Sequence, residues 1–210
     1  MDFALLVTGI AIGLSVAAPL GPVNIIVIRT AIRRSFPIAL LTGLGAVAAD
    51  TIYASLTAYG VQSIEYLITA YATPLMIAGG LLLVVMGIRL ARVHVRLADL
   101  AVQDPPSKRQ ILAKMLTTFT LTLTNPGAFF GFLAIFGTMS GVLKLAESAA
   151  RPPIVVAGVV IGGALWWLFL SFTVARLRTR ITERIFDKIN RWTGILIAAF
   201  GFALLMDALF

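Results

Sequence analysis

Apolar residues run along this chain in long blocks, separated by short polar and basic clusters. Blocks of about 20 residues match the length of a membrane-crossing helix, and alternating strands of about ten residues, which would build a barrel, are absent. Six spans are predicted, at roughly 3–28, 38–61, 67–90, 112–140, 153–175 and 193–209. The last is short, and the segment before it can extend it.

Two blocks are broken from within. In Ala18-Pro19-Leu20-Gly21-Pro22-Val23-Asn24, two prolines and a glycine fall within four residues. Each proline lacks an N–H and clashes with the carbonyl four residues back, so a helix cannot run through. Thr124-Asn125-Pro126-Gly127 interrupts the fourth block, about half a chain later. Broken backbone in hydrocarbon is tolerated only where protein buries it or where it lines a cavity. Paired interruptions in corresponding places of two halves point to a transporter's binding site.

The one linker-like stretch, Gln103-Asp104-Pro105-Pro106-Ser107-Lys108-Arg109, divides three spans from three. A three-span unit that repeats must invert, because an odd number of crossings flips the next copy. Small residues recur in the same order in both halves: Gly43, Gly45, Ala46 and Ala49 in the second span against Gly158, Gly162 and Gly163 in the fifth. Gly80 and Gly87 in the third span are spaced like Gly194 and Gly201 in the sixth. Each set alone reads as close helix packing. The expected fold is therefore an all-α integral membrane protein of six transmembrane helices in two inverted three-helix repeats, the first and fourth helices broken. It forms a single transmembrane domain over 1–210: repeat one about 1–100, a cytoplasmic linker about 101–110, and repeat two about 111–210.

Composition narrows the class. Of 210 residues, 60% are hydrophobic and 12% charged, and the mean hydropathy is +0.99, which no ordinary soluble domain shows. Without Cys there is no structural disulfide, Cys-ligated metal centre or thiol–disulfide electron carrier. No metal site and no cofactor is predicted, and the one His, His94, lies among basic loop residues. Met1-Asp2-Phe3 lacks a basic n-region, so no cleaved leader is expected. A net charge of +8 could suggest nucleic acid, but its placement speaks against it. All of the 17 Lys and Arg except Lys144 and Arg151 fall in the first, third and fifth connections. The positive-inside rule places those connections in the cytoplasm and both termini outside. Ala175 to Trp192 carries Ile181, Ile185, Ile189 and Trp192 at helical spacing among arginines and a lysine, the pattern of an interfacial amphipathic helix. The basic charge is thus accounted for by topology and lipid headgroups.

Asp50 is the sharpest single residue, near the middle of the second span among Val47, Ala48, Ala49, Thr51 and Ile52. A charge at the bilayer centre costs about 2.5–3.5 kcal/mol on insertion scales, so such residues face a cavity or a partner. No Lys or Arg lies at that depth. Asp50 can hold a proton, since desolvation penalises its charged form, or pair with a cation brought from outside the fold. Alternation between these states is proton–substrate exchange; a permanently protonated Asp bonding a neighbouring helix is the structural alternative. Tyr53 and Thr57 share its helix face and can supply hydroxyls. After Pro22 and after Pro126 a new half-helix begins with proline at or near its first position, and its N-terminal amides form an anion site. Asn24 and Asn125 add amide groups at the same places. The threonines of the fourth span, Thr117, Thr118, Thr120, Thr122 and Thr124, fit bonding to their own helix backbone. One carboxylate for a cation and two helix N-termini for an anion describe a site for an α-amino acid. A metal cation could also visit Asp50, although metal ligation normally takes several ligands.

These features resemble the lysine exporter (LysE) family, which includes the homoserine/threonine resistance exporters. The resemblance covers nearly all of the chain. It rests on Pro19-Leu20-Gly21-Pro22-Val23-Asn24, on Arg33-Arg34 followed by the glycine-rich second span with Asp50, and on Asn125-Pro126-Gly127. Gly80 with Gly87 and Arg191-Trp192-Thr193-Gly194 with Gly201 complete it. It implies a proton-driven inner-membrane exporter of amino acids or related solutes, not an enzyme, with six spans in two inverted repeats and a functional role for Asp50. Family exporters of basic amino acids tend to carry a second acid after the Asn-Pro of the fourth span. Here Gly127-Ala128-Phe129-Phe130-Gly131-Phe132 has none, which favours a neutral substrate, and the aromatic run is read as lipid-facing or as the lining of an apolar pocket. Trp166 and Trp167, deep in the fifth span, are unusual away from the interface; both packing and substrate contact would explain them.

The site set is thus Asp50 for the proton and the substrate ammonium, with Pro19, Gly21, Pro22, Asn24, Tyr53, Asn125, Pro126 and Gly127 for the rest of the substrate. The expected partners are an amino-acid-like small molecule, protons and membrane lipids, with no nucleic acid; monomer and homodimer are both left open. The rival readings are export of another solute, such as a metal cation, and a non-transporting membrane assembly or lipid-handling protein in which the breaks are kinks.

Overall fold

The computed structural model describes residues 2–18, 21–70, 72–92, 106–139, 143–177 and 183–209. Among these residues the chain forms eight α-helices and no strand. They are α1 (Asp2–Ala17), α2 (Pro22–Arg33), α3 (Phe36–Ala70), α4 (Ala72–Ala91), α5 (Lys108–Leu123), α6 (Pro126–Thr138), α7 (Arg151–Leu177) and α8 (Glu183–Leu209).

Phe36–Gly60 of α3 and Arg151–Leu177 are each long and apolar enough to cross a membrane. Two bent pairs join them as candidate spans: α1 with α2, bent by 84°, and α5 with α6, bent by 58°. Each bend falls where proline and glycine forbid a continuous helix. The apolar segments Ile77–Ala91 of α4 and Asn190–Met206 of α8 are shorter.

The expected connection at Gln62 and Glu65 is instead helical, because α3 runs on to Ala70. After Gly60 no glycine or proline stops it before Pro74, and Gln and Glu are good helix formers. At the other end of the chain, the amphipathic segment and the sixth span merge into the one helix α8. Residues 178–182 and the side chains of Ile185 and Ile189 lie outside the described residues, so the predicted interfacial stripe is not described; Trp192 is 60% exposed.

Packing is concentrated in a few helix pairs: α4 on α8, α1 on α7, α3 on α5 and α3 on α7. Glycine makes the first of these possible. A Cβ on Gly80 would strike the Gly201 carbonyl oxygen, and one on Gly201 that of Gly80. Gly87 and Gly194 repeat the relation, which makes α4 and α8 antiparallel. Lighter contacts run from α2 to α3, α5 and α7, and from α6 to α1, α3 and α4.

Two buried clusters result. Tyr53, Ala54 and Ala58 of α3 join Leu5, Ile12, Phe132, Phe136, Val155 and Val159 in one. Val27, Ile28 and Ala31 of α2 join Ala39, Ala46, Val47, Trp167 and Val174 in the other. Asp50 lies on α3 between the residues that feed the two. Beyond α6, Glu147 pairs with Lys144 at 3.0 Å and with Arg151 at 2.8 Å, bracketing the entry to α7. The Lys144 hydrogen bond, followed by the charges of Lys144 and Arg151, holds the exposed Glu147 carboxyl below the usual carboxylate range.

Candidate functional site

Asp50 is 8% exposed near the middle of the α3 span. Among the described residues nothing forms a hydrogen bond or ion pair with its carboxylate. Nearby hydroxyls are committed elsewhere. Thr51 Oγ1 donates to the Val47 carbonyl at 2.7 Å, and Thr57 Oγ1 to the Tyr53 carbonyl at 2.7 Å. Tyr53, one turn beyond Asp50, donates its hydroxyl to the Leu123 carbonyl at the end of α5. Its ring packs on Phe129 at 5.7 Å and on Phe132 at 6.2 Å between centroids. The helix carrying the buried acid is thereby fastened to the second break.

That break is capped by its own residues. Asn125 Oδ1 accepts from Gly127 N–H at 3.0 Å, and the Asn125 carbonyl accepts from the amides of Ala128 and Phe129. Pro126 opens α6, where its missing N–H costs nothing. Asn125 keeps its Nδ2 hydrogens, for which no partner occurs among the described residues. The threonines before the break follow the expected backbone bonding: Thr117 bonds Ala113 and Thr124 bonds Thr120. Thr118 also crosses to α3, donating to the Thr42 carbonyl at 2.6 Å. The aromatic run divides, with Phe132 and Phe136 fully buried and Phe129 37% exposed.

The first break is held from a distance. Pro19 and Leu20 lie outside the described residues. Gly21 is extended and brings no side-chain cap, and Pro22 opens α2. Asn24 is 3% exposed. Its Nδ2 donates to the Ala17 carbonyl at 3.5 Å, across the break, and its Oδ1 accepts from Trp166 Nε1 at 3.3 Å. Trp166 was ambiguous in the sequence between packing and substrate contact; its indole ties α7 to the break.

The structure thus joins Tyr53 to the break containing Asn125 and Gly127, and Asn24 to Trp166. Among the described residues no group of three or more His, Cys, Asp or Glu stands close enough to hold a metal ion. A buried carboxylate without a partner among the described residues, and two broken helices packed against its helix, suit a path for a small solute.

The LysE type translocator model matches residues 14–208. The chain belongs to that family. Its members are translocators rather than enzymes, and the apolar helices are those of a membrane-protein family. A Bacillus subtilis (strain 168) protein named for amino acid efflux, YcgF, is 28% identical over 195 residues, covering 92% of this chain and 91% of that protein. The threonine efflux proteins of Salmonella typhi and of Salmonella typhimurium are each 28% identical over 194 residues, covering 89% of this chain and 90% of theirs. No solved structure matches significantly.

Proposed function

We propose that this LysE-family translocator exports neutral amino acids or similar small zwitterions across the inner membrane in exchange for protons. The observation that carries the reading is Asp50, a carboxylate buried in an apolar helix with no hydrogen-bond or ion-pair partner among the described residues. Such a group is stable either protonated or beside a cation supplied by the substrate. Asp50 alternates between the two, taking the substrate's ammonium on one side and a proton on the other. The substrate carboxylate meets the broken backbones, at Pro19, Gly21, Pro22 and Asn24 and at Asn125, Pro126 and Gly127, and Tyr53 lines the space between. The absence of a second acid after Pro126 and the presence of Phe129 and Phe132 beside Tyr53 favour an uncharged side chain. The two relatives named for threonine efflux agree with a neutral substrate.

The same proposal includes six spans in two inverted repeats within one domain, with the linker near 101–110. Exchanging α1 with α5, α2 with α6, α3 with α7 and α4 with α8 supports it. The exchange turns α1 on α7 into α5 on α3, and α2 on α7 into α6 on α3, and both members of each pair are present. The α4–α8 and α3–α7 pairs map onto themselves. Distribution of Lys and Arg supports cytoplasmic first, third and fifth connections, with both termini outside. Alternating access then follows from rocking one repeat against the other.

The test is efflux of labelled amino acids from proteoliposomes, with and without an imposed proton gradient. Wild type is expected to release neutral amino acids faster in the gradient. Asp50→Asn is expected to insert and fold but to lose gradient-driven efflux by at least about 100-fold, the loss expected of an essential charge in a low-dielectric site. Wild-type flux indifferent to the gradient, or an Asp50→Asn variant of normal flux, defeats the proposal.

A further inference from the structure

Two hydrogen-bonding groups on α7 stand apart from everything described so far. Trp167 Nε1 and Ser171 Oγ are buried without a hydrogen-bond partner among the described residues, and their residues are 2% and 0% exposed. Four residues apart, they share one helix face. Buried polar groups are almost always paired, and an unpaired one calls for a physical reason. Trp167 belongs to a buried cluster with Val27, Ile28, Ala31, Ala39, Ala46, Val47 and Val174, whose side chains contain no acceptor.

Their position along the molecule is informative. A Cβ on Gly43 would strike the Trp167 ring, and one on Gly163 would meet the Val47 methyls. α3 and α7 therefore run antiparallel, and Phe36 stands edge-on to Phe172 at 6.1 Å at the same end. Gly43 precedes Asp50 by seven residues, about 10 Å of helix rise. At the Phe36 end stand Arg33 and Arg34, within electrostatic reach of Lys114. Lys114 itself donates to Thr30 Oγ1 at 2.9 Å. The unpaired donors thus lie between a basic end of the protein and the buried acid.

Chemistry narrows what they hold. An indole N–H can only donate, so an ammonium is unwelcome beside it, and a hydroxyl adds a second donor four residues on. The basic end draws anions toward the pair. We propose that Trp167 Nε1 and Ser171 Oγ form a station for the substrate's carboxylate, holding one oxygen between them while the solute passes from the basic end to Asp50. This rests on the exporter reading above and adds to it residues of α7 outside both breaks. Glycine at position 43 is part of the device, since any side chain there would displace the indole.

Ser171→Ala removes one donor with little change of shape, and Trp167→Phe removes the other while keeping an aromatic ring. The probes are L-threonine and L-threoninamide, which lacks the carboxylate. For either variant the half-saturation concentration for L-threonine efflux is expected to rise about tenfold, the size of one hydrogen bond to a charged group, with the saturated rate little changed. L-Threoninamide transport is expected to be insensitive. Unchanged half-saturation in both variants overturns the station, and so does an equal loss for threonine and threoninamide, the result of a site that merely holds water. Melting temperature supplies a readout independent of flux, because a ligand stabilises the state it binds. L-Threonine should raise the wild-type melting temperature at about one-tenth of the concentration that Ser171→Ala requires. If wild type moves no amino acid, the exporter reading fails on its own; an equal thermal response of wild type and Ser171→Ala then overturns the station as well.

Discussion

At the first break the chain bends by 84° and at the second by 58°, yet the larger difference lies in what holds each bend. Asn125 caps the helix that follows it, with its side chain on Gly127 N–H and its carbonyl on Ala128 and Phe129. Asn24, also at a break, reaches back across the bend to Ala17 and outward to Trp166 of α7. Among the described residues, the second break therefore carries most of its own hydrogen bonding, with outside support from Tyr53. The first, among the described residues, is tied to a helix from the other half of the chain. Two interruptions of similar composition can thus differ in kind: one is a local motif, the other a joint in the tertiary structure.

Substitutions at four positions sharpen that contrast. The largest loss of stability is expected for Asn24→Ala, which strands the half-buried Trp166 N–H and the Ala17 carbonyl together, at about 2–4 kcal/mol. Trp166→Phe should cost part of this, and the double variant little more than Asn24→Ala alone, since residues in one bond are non-additive. Thermal unfolding in detergent measures all three; strictly additive losses would mean that the indole–amide contact contributes nothing. Next comes Tyr53→Phe, which keeps the ring packing but leaves the Leu123 carbonyl bare, at about 1–3 kcal/mol. The smallest loss belongs to Asn125→Ala, at about 1 kcal/mol for a lost N-cap. Asn125→Ser or Asn125→Asp should recover it, as either offers a capping oxygen. Neither should be able to replace Asn24, which spans to Ala17 and Trp166 with two separate atoms. Ionised Asp has no hydrogen to donate, and Ser is shorter and has only one polar atom; rescue of position 24 by Ser would erase the distinction between the breaks.

The local parts of this architecture were legible in the residues. Proline and glycine marked both bends, Asp50 declared itself by being alone in an apolar helix, and the paired glycines at 80, 87, 194 and 201 anticipated a close contact. Asn immediately before Pro126 is itself an N-cap signature, so its commitment to Gly127 could have been read from the sequence. So could the start of α5, where Ser107 and Gln110 form a capping box. The contacts of Trp166 with Asn24 and of Tyr53 with Leu123 were not legible, because no periodicity relates residues 142 or 70 positions apart. Nor was the continuation of α3 past residue 61, where polar side chains resembled a loop although none of them breaks a helix.

The α4–α8 contact has a mechanical consequence. The two helices meet backbone to backbone at two points seven residues apart, Gly80 against Gly201 and Gly87 against Gly194. Leu205 packs beside Gly80 and Ala198 beside Gly87, so a slip along the axis would drive these side chains into main chain. Two separated points of contact also resist turning. Since α4 precedes the 101–110 stretch and α8 follows it, any relative motion of the two proposed repeats would have to tilt about this seam rather than slide along it.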